Sequence, residues 1–328
     1  MYCRTVVFFL LMTLTAGAAP VSVIVDTDVG SDDLLAIAFL LARKDVRVEA
    51  LTVVNGLAHV RKGADNLLRL LELSGHPEIP VYLGAEKHLQ STALFPDEWR
   101  RTADDLPGVT LPPTKRTPAA QSAIAFLAHR LRPSEPPVTV LALGPLTNLA
   151  QAFRSEPGAA ARLQRLLIMG GAFHVPGNLG DGGAYKTTNT TAEWNIFSDP
   201  LAAREVFRSG AKIDIIPLDA TSQVPIGPAF LKSVEAHAKT PLARFVLQVL
   251  NSERSMIEAG LYQAWDPLAA VALMDNAAVY WTPMSVEVRM NGPETGRTVQ
   301  SSQPAGNTRV ALTANTAEFT KVFLEVCR

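Results

Sequence analysis

Residues 21 to 41, VSVIVDTDVGSDDLLAIAFLL, impose the strongest constraint on the fold. VSVIV is a short, mainly apolar run, so a strand built from it is stable only where both faces are covered, as in the interior of a parallel sheet. Ser31 is an N-cap signal, and Leu34, Ile37, Ala38 and Leu41 follow it at helical spacing. The same strand, turn and helix recur along the chain. VEALTVV, VTVLAL, LQRLLIMG and KIDIIPL read as further strands; Val60 to Leu73, Ile124 to Leu131, LTNLAQAF and a segment starting near Asp199 read as helices. This alternation predicts an α/β fold with a mostly parallel, Rossmann-like open sheet and helices on both faces. The Pro-rich stretch from Thr102 to Pro118 is expected to be a surface loop within one domain, and MSVEVRM and TRVALTANTAEFTKVF to be late strands closed by a helix.

Residues 1–19 have a basic start at Arg4, an apolar run from Val6 to Leu14 and an A-x-A pattern from Ala16 to Ala18. They are expected to be a secretory signal peptide cut near Ala18 or Ala19, leaving 20–328 as one exported domain, periplasmic or extracellular. The apolar run is too short to span a bilayer, so no membrane partner is expected. Cleavage would remove Cys3 and leave Cys327 with no disulfide partner. Thirty basic residues stand against 31 acidic ones, so charge gives no footprint for nucleic acid.

Against this neutral background, Asp26, Asp28, Asp32 and Asp33 crowd the turn after the first strand. In parallel sheets that end of a strand is where ligands bind. Two carboxylates about 5 Å apart repel by roughly 3 kcal/mol at an effective dielectric near 20, and a helix N-terminus returns only about 0.3–1 kcal/mol per anion. Some of the acids are therefore protonated, or face open water, or hold a hard cation such as Ca²⁺ or Mg²⁺. A purely structural reading, in which Asp32 and Asp33 favour the first helical turn, leaves Asp26 and Asp28 unexplained.

DTDVGSDD resembles the D-x-D-x-G-x-D-D signature of the nucleoside hydrolases, metal-dependent enzymes that cut the N-glycosidic bond of ribonucleosides. LGPLTNLA, Leu143 to Ala150, is similar to that family's second metal-site loop. AEWNIFSDP, Ala192 to Pro200, is similar to its ribose-binding segment, and WDPLAA, Trp265 to Ala270, to its last metal-site helix. The four match in order from residue 21 to about 275, with weak resemblance beyond.

The resemblance implies Ca²⁺ held by Asp28, Asp33, Asp266 and the backbone carbonyl of Leu143, a shell completed by a water and the ribose hydroxyls. It implies that Asp28 is the base taking a proton from a Ca-bound water as that water attacks C1′. Asp32, Glu193 and Asn195 would grip the ribose hydroxyls; Asn178 matches another sugar-binding position, with Asn189 as its competitor. Asp26 would order the loop through hydrogen bonds.

Many relatives carry a His before the last metal Asp, where this chain has Trp265, and no other histidine matches a motif that would replace it. The purine-specific branch also has Trp there, together with a second Trp in a segment resembling FPDEWR. By that resemblance Trp99 and Trp265 would sandwich a purine, raising its basicity by stacking, and Tyr262 would close over it on a mobile loop. Leu57 replaces an expected Asn, leaving Asn55 as a substitute contact or a purely structural residue. The expected function is hydrolysis of ribonucleosides, with purine nucleosides favoured, by a homodimer. The alternatives are a periplasmic nucleoside-binding protein without catalysis and a phosphatase using Asp26.

Overall fold

The computed structural model describes residues 19–180 and 185–327. The expected signal peptide lies almost wholly outside the described residues. Among those, ten strands are β1 (Val21–Thr27), β2 (Val46–Val53), β3 (Val81–Leu83), β4 (Val138–Ala142), β5 (Leu163–Met169), β6 (Ile213–Ile216), β7 (Val279–Pro283), β8 (Val286–Val288), β9 (Thr298–Gln300) and β10 (Thr308–Ala314). Eight form one sheet in the order β3-β2-β1-β4-β5-β6-β10-β7. All neighbours in it are parallel except the β10–β7 pair at one edge. The expected α/β open sheet is therefore present.

The pleat divides the core. Val23 and Val25 belong to one buried cluster, shared with helices Ser31–Leu41, Val60–Ser74, Pro241–Ser252 and Trp265–Met274, whereas Ile24 belongs to the other, with helices Thr147–Ser155 and Pro200–Phe207. Period-2 alternation thus puts Asp26 on the Ile24 face, away from the helix that begins at Ser31. The consequence appears in its bonding. Asp26 Oδ1 accepts from Asn148 Nδ2 at 2.8 Å, from the Thr147–Ser155 helix, and from Thr52 Oγ1 at 2.6 Å.

From β1 the chain builds one half of the sheet through β2 and β3; β4 then pairs on the opposite side of β1 and starts the other half through β5 and β6. The strand order reverses between β1 and β4, where a crevice opens at the carboxyl ends of the strands. Asp26 to Asp33 and Leu143 lie at that reversal, tied by Leu143 N donating to the Asp26 carbonyl at 2.8 Å.

MSVEVRM supplies β8, a late strand as expected, which pairs with β9 in a separate two-stranded ribbon. One expectation is corrected. Thr102 to Asp105 end a helix, Asp97–Asp105, so the surface loop begins only after them.

Candidate active site

Val29 follows Asp28 with φ 62°, the left-handed region, at a cost of order 1–3 kcal/mol that its surroundings must offset. Its amide donates to Thr27 Oγ1 at 3.0 Å, and its fully buried side chain fits over Gly63, where a Cβ would come within 2.8 Å of Val29 Cγ2. The strained residue turns the chain from strand to helix within four residues, so that Asp28 and Asp33 face the same space.

Asp28 is held from the neighbouring loop. Its Oδ2 accepts from Leu57 N at 2.8 Å, and its carbonyl accepts from Ala58 N at 2.8 Å. Glycine is required between Asn55 and Leu57, because a Cβ on Gly56 would lie 2.0 Å from Asp28 Oδ2. Arg100 clamps this turn, donating from Nη1 to the Gly56 carbonyl at 2.7 Å and from Nη2 to Asn55 Oδ1 at 2.9 Å. Asn55 therefore faces Arg100 and plays the structural part, while the Leu57 side chain lines the cavity.

Asp33 accepts from the Thr27 hydroxyl and, at 2.9 Å, from Gly30 N. Asp266 sits in the first turn of helix Trp265–Met274, which packs against helix Ser31–Leu41. Carboxylate oxygens of Asp32, Asp33 and Asp266 lie within 4.8 Å of one another. The sequence grouped Asp28 with Asp33 and Asp266; the structure also brings Asp32 close to Asp33 and Asp266, while the Leu57 amide holds one Asp28 oxygen. Burial, followed by repulsion from Asp33, pushes Asp28 and Asp266 well above the usual carboxylate range. The same two causes push Asp32 up to about 8, and burial raises Asp33 against the bonds from Thr27 and others.

Asp266 supplies the test of whether a cation fits. Both its oxygens are buried and neither meets a hydrogen-bond partner among the described residues, a costly state for a carboxylate facing two other acids. A hard divalent cation among all-oxygen donors removes both the repulsion and the missing partners. The Leu143 carbonyl lies on the same cavity wall; it accepts from Asn195 Nδ2 at 2.8 Å and retains a second lone pair.

The cavity, about 220 Å³, is lined by the proposed cation ligands Asp28, Asp33, Leu143 and Asp266, by Asp32, Asn178, Glu193 and Asn195, and by Trp99, Trp265 and Tyr262, but not by Asp26, Asn55 or Asn189. Glu193 is 2 % exposed, and its carboxylate accepts from Asn195 N at 2.8 Å, Gly171 N at 2.9 Å and Ile196 N at 3.2 Å, so it is no solvated surface acid. Burial still raises it above its ordinary range, these amides opposing. Asn178 lines the cavity and accepts from Trp194 N at 3.1 Å. Asn189 is instead spent on a turn, accepting from Thr191 N and Ala192 N and donating to the Thr295 carbonyl.

Trp99 and Trp265 stand on the cavity wall, each edge-on to another ring: Trp99 to Trp194 at 5.9 Å and Trp265 to Tyr262 at 5.4 Å. Tyr262, expected on a mobile closing loop, is 2 % exposed with its hydroxyl 2.9 Å from Ser31 Oγ, so in this conformation it is part of the packed wall. Sequence reasoning missed Trp194, Arg100 and Glu253. Trp194 was quoted inside the ribose-binding segment without a role, although it stacks on Phe95 at 4.5 Å and lines the cavity.

With this geometry in view, comparison with known proteins is decisive: residues 23–321 match the family described as inosine-uridine preferring nucleoside hydrolase. The chain belongs to the nucleoside hydrolase family. The family match passes well beyond residue 275, where the motifs alone stop, and takes in β7 to β10. Uridine nucleosidase 1 of Arabidopsis thaliana is 35 % identical over 203 residues, 62 % of this chain and 58 % of that protein, so the aligned part spans under two thirds of that relative. The pyrimidine-specific ribonucleoside hydrolase RihA of Salmonella agona is 34 % identical over 229 residues, 70 % of each chain. Among solved structures, a purine-preferring ribonucleoside hydrolase from Gardnerella vaginalis superposes with a TM-score of 0.79 at 27 % identity, covering 93 % of this chain and 98 % of that one.

Proposed function

We propose that this member of the family hydrolyses the N-glycosidic bond of ribonucleosides to free base and ribose, using Ca²⁺ held by Asp28, Asp33, Asp266 and the Leu143 carbonyl. The observation that carries this reading is the bare, buried Asp266 carboxylate facing Asp32 and Asp33 at the strand-order reversal. When bound, the cation supplies Lewis-acid chemistry, acidifying water and fixing a vicinal diol. The protein's own groups do the rest. Asp28, fixed on one oxygen by Leu57 N, takes the proton of the attacking water through the other. Asp32, Asn178, Glu193 and Asn195 hold the ribose and keep negative charge beside a ring that becomes oxocarbenium-like at the transition state.

The base meets Trp99 and Trp265, whose broad π faces favour a purine. The names of the Arabidopsis and Salmonella relatives, a uridine nucleosidase and a pyrimidine-specific hydrolase, favour a pyrimidine nucleoside such as uridine as a second reading. A panel of inosine, adenosine, guanosine, uridine and cytidine, assayed with Ca²⁺ and with chelator, tests both. Release of free base that chelator abolishes is expected, with kcat/KM for inosine above that for uridine. Unchanged nucleosides would leave a binding protein, and a higher value for uridine would reverse the base assignment. Trp265→Ala separates stacking from leaving-group assistance: a loss confined to KM removes the latter.

A further inference from the structure

We infer that Glu253 donates the proton that the departing base takes from the enzyme. The inference rests on the hydrolase reading above. With Trp265 where a His would stand, a proton donor has to come from elsewhere on the cavity wall. Among the described residues that wall carries no His, Lys, Arg or Cys. Its titratable groups are the four acids around the cation site, Glu193, Tyr262 and Glu253. Asp28, Asp33 and Asp266 serve cation and water, Asp32 and Glu193 hold the ribose, Glu193 besides accepting from three backbone amides, and burial pushes the Tyr262 phenol well above its usual value, making it a poor acid.

Glu253 is the remaining group, and among the described residues the Ser31 hydroxyl is the one partner that bears on its carboxyl. It precedes helix Arg254–Glu258 yet caps none of its amides, and it takes part in no ion pair among the described residues. Its neighbour Arg254 turns instead to Glu258 and Glu235. Val249, Ser252, Glu253 and Met256 line the cavity, as do Trp99, Thr102, Ala103 and Leu106. The carboxyl lies near Tyr262, which stands edge-on to Trp265, and so on the wall assigned to the base. The charged or titratable groups facing it are Asp32 and Tyr262. Burial raises Glu253 above its ordinary range, the Ser31 hydroxyl opposing, which favours the protonated form that a general acid needs.

The step balances. Water adds its oxygen to C1′ and yields a proton to Asp28. The C1′–N bond breaks with its electron pair going to the base, and the Glu253 proton moves to a base nitrogen. Solvent then returns a proton to Glu253 and removes one from Asp28.

The test compares Glu253→Gln with the wild type on inosine and on p-nitrophenyl riboside, whose phenolate leaves without protonation. Wild-type cleavage of both is the control for the hydrolase reading itself. The variant is expected to lose about 10²-fold in kcat on inosine, within the usual range for general acid catalysis, and to stay within about threefold on the nitrophenyl substrate. The basic limb of the inosine pH profile should disappear with it. Equal losses on both substrates, or no loss on either, would overturn the assignment, and Glu253→Asp should recover part of the inosine rate and none of any structural defect.

Discussion

At the scale of single residues, Asp266 decides the chemistry, because a buried carboxylate with no donor must be neutral or answered by a cation. Asp266→Asn keeps the shape and removes the charge. Calcium affinity measured by titration calorimetry should fall by about 100-fold or more, given that loss of even an outer-sphere partner costs 10- to 100-fold. Unchanged affinity would place the ion elsewhere. The place of Asp266 and Asp28 on the cavity wall was legible in the sequence because each acid stands at a fixed place in an ordered set of motifs. Arg100 was not. Beside Glu98 it reads as a surface charge, and only the fold shows its guanidinium buried against Gly56 and Asn55, two positions that carry no mark of needing it.

At the scale of elements, the end of β1 and the start of its helix hold acids that prefer to be neutral. Asp26, raised by burial first, is pushed up to about 7, and Asp32 up to about 8, both from an ordinary 3.8. A carboxyl raised by folding binds its proton more tightly in the native state. Its contribution is complete below about pH 4 and is lost as pH climbs to about 7–8. In chelator, Tm should therefore fall between about pH 5 and 8, and excess Ca²⁺ should flatten the slope by favouring the ionised forms. Parallel slopes in scanning calorimetry would refute this. A second element-scale prediction concerns Asp214 on β6, fully buried between Arg165 of β5 and Arg309 of β10, both of which also lie over Trp281. Asp214→Ala leaves two guanidinium groups unanswered and should cost about 3–5 kcal/mol in urea unfolding, far more than a surface pair. The long apolar strands were readable because complete burial leaves a continuous apolar run. β3 and β9, of three residues each, carry too little pattern to read, and β7 exposes Tyr280 at the sheet edge.

At the scale of the whole molecule, the proposed cation site joins distant parts of the chain, since Asp28 and Asp33 come from the turn after β1 and the helix that follows it and Asp266 from a helix more than 200 residues later. Binding there should stabilise the complete fold. At a Ca²⁺ concentration about 100 times Kd, unfolding free energy should rise by about 2.7 kcal/mol over the chelated protein, read from denaturant midpoints at constant m. No shift would mean that no ion is held. The overall architecture was legible because alternating strands and helices admit few arrangements. The joining of β10 between β6 and β7 was not, because strand order depends on which helices cover which face, and that is decided by packing.

The same arrangement bears on how the protein is made. A ribosome delivers Asp28 and Asp33 more than 200 residues before Asp266, so under the proposed function an emerging polypeptide has only half a cage for the ion. A product truncated before Asp266, however well its first strands pair, would then be inert.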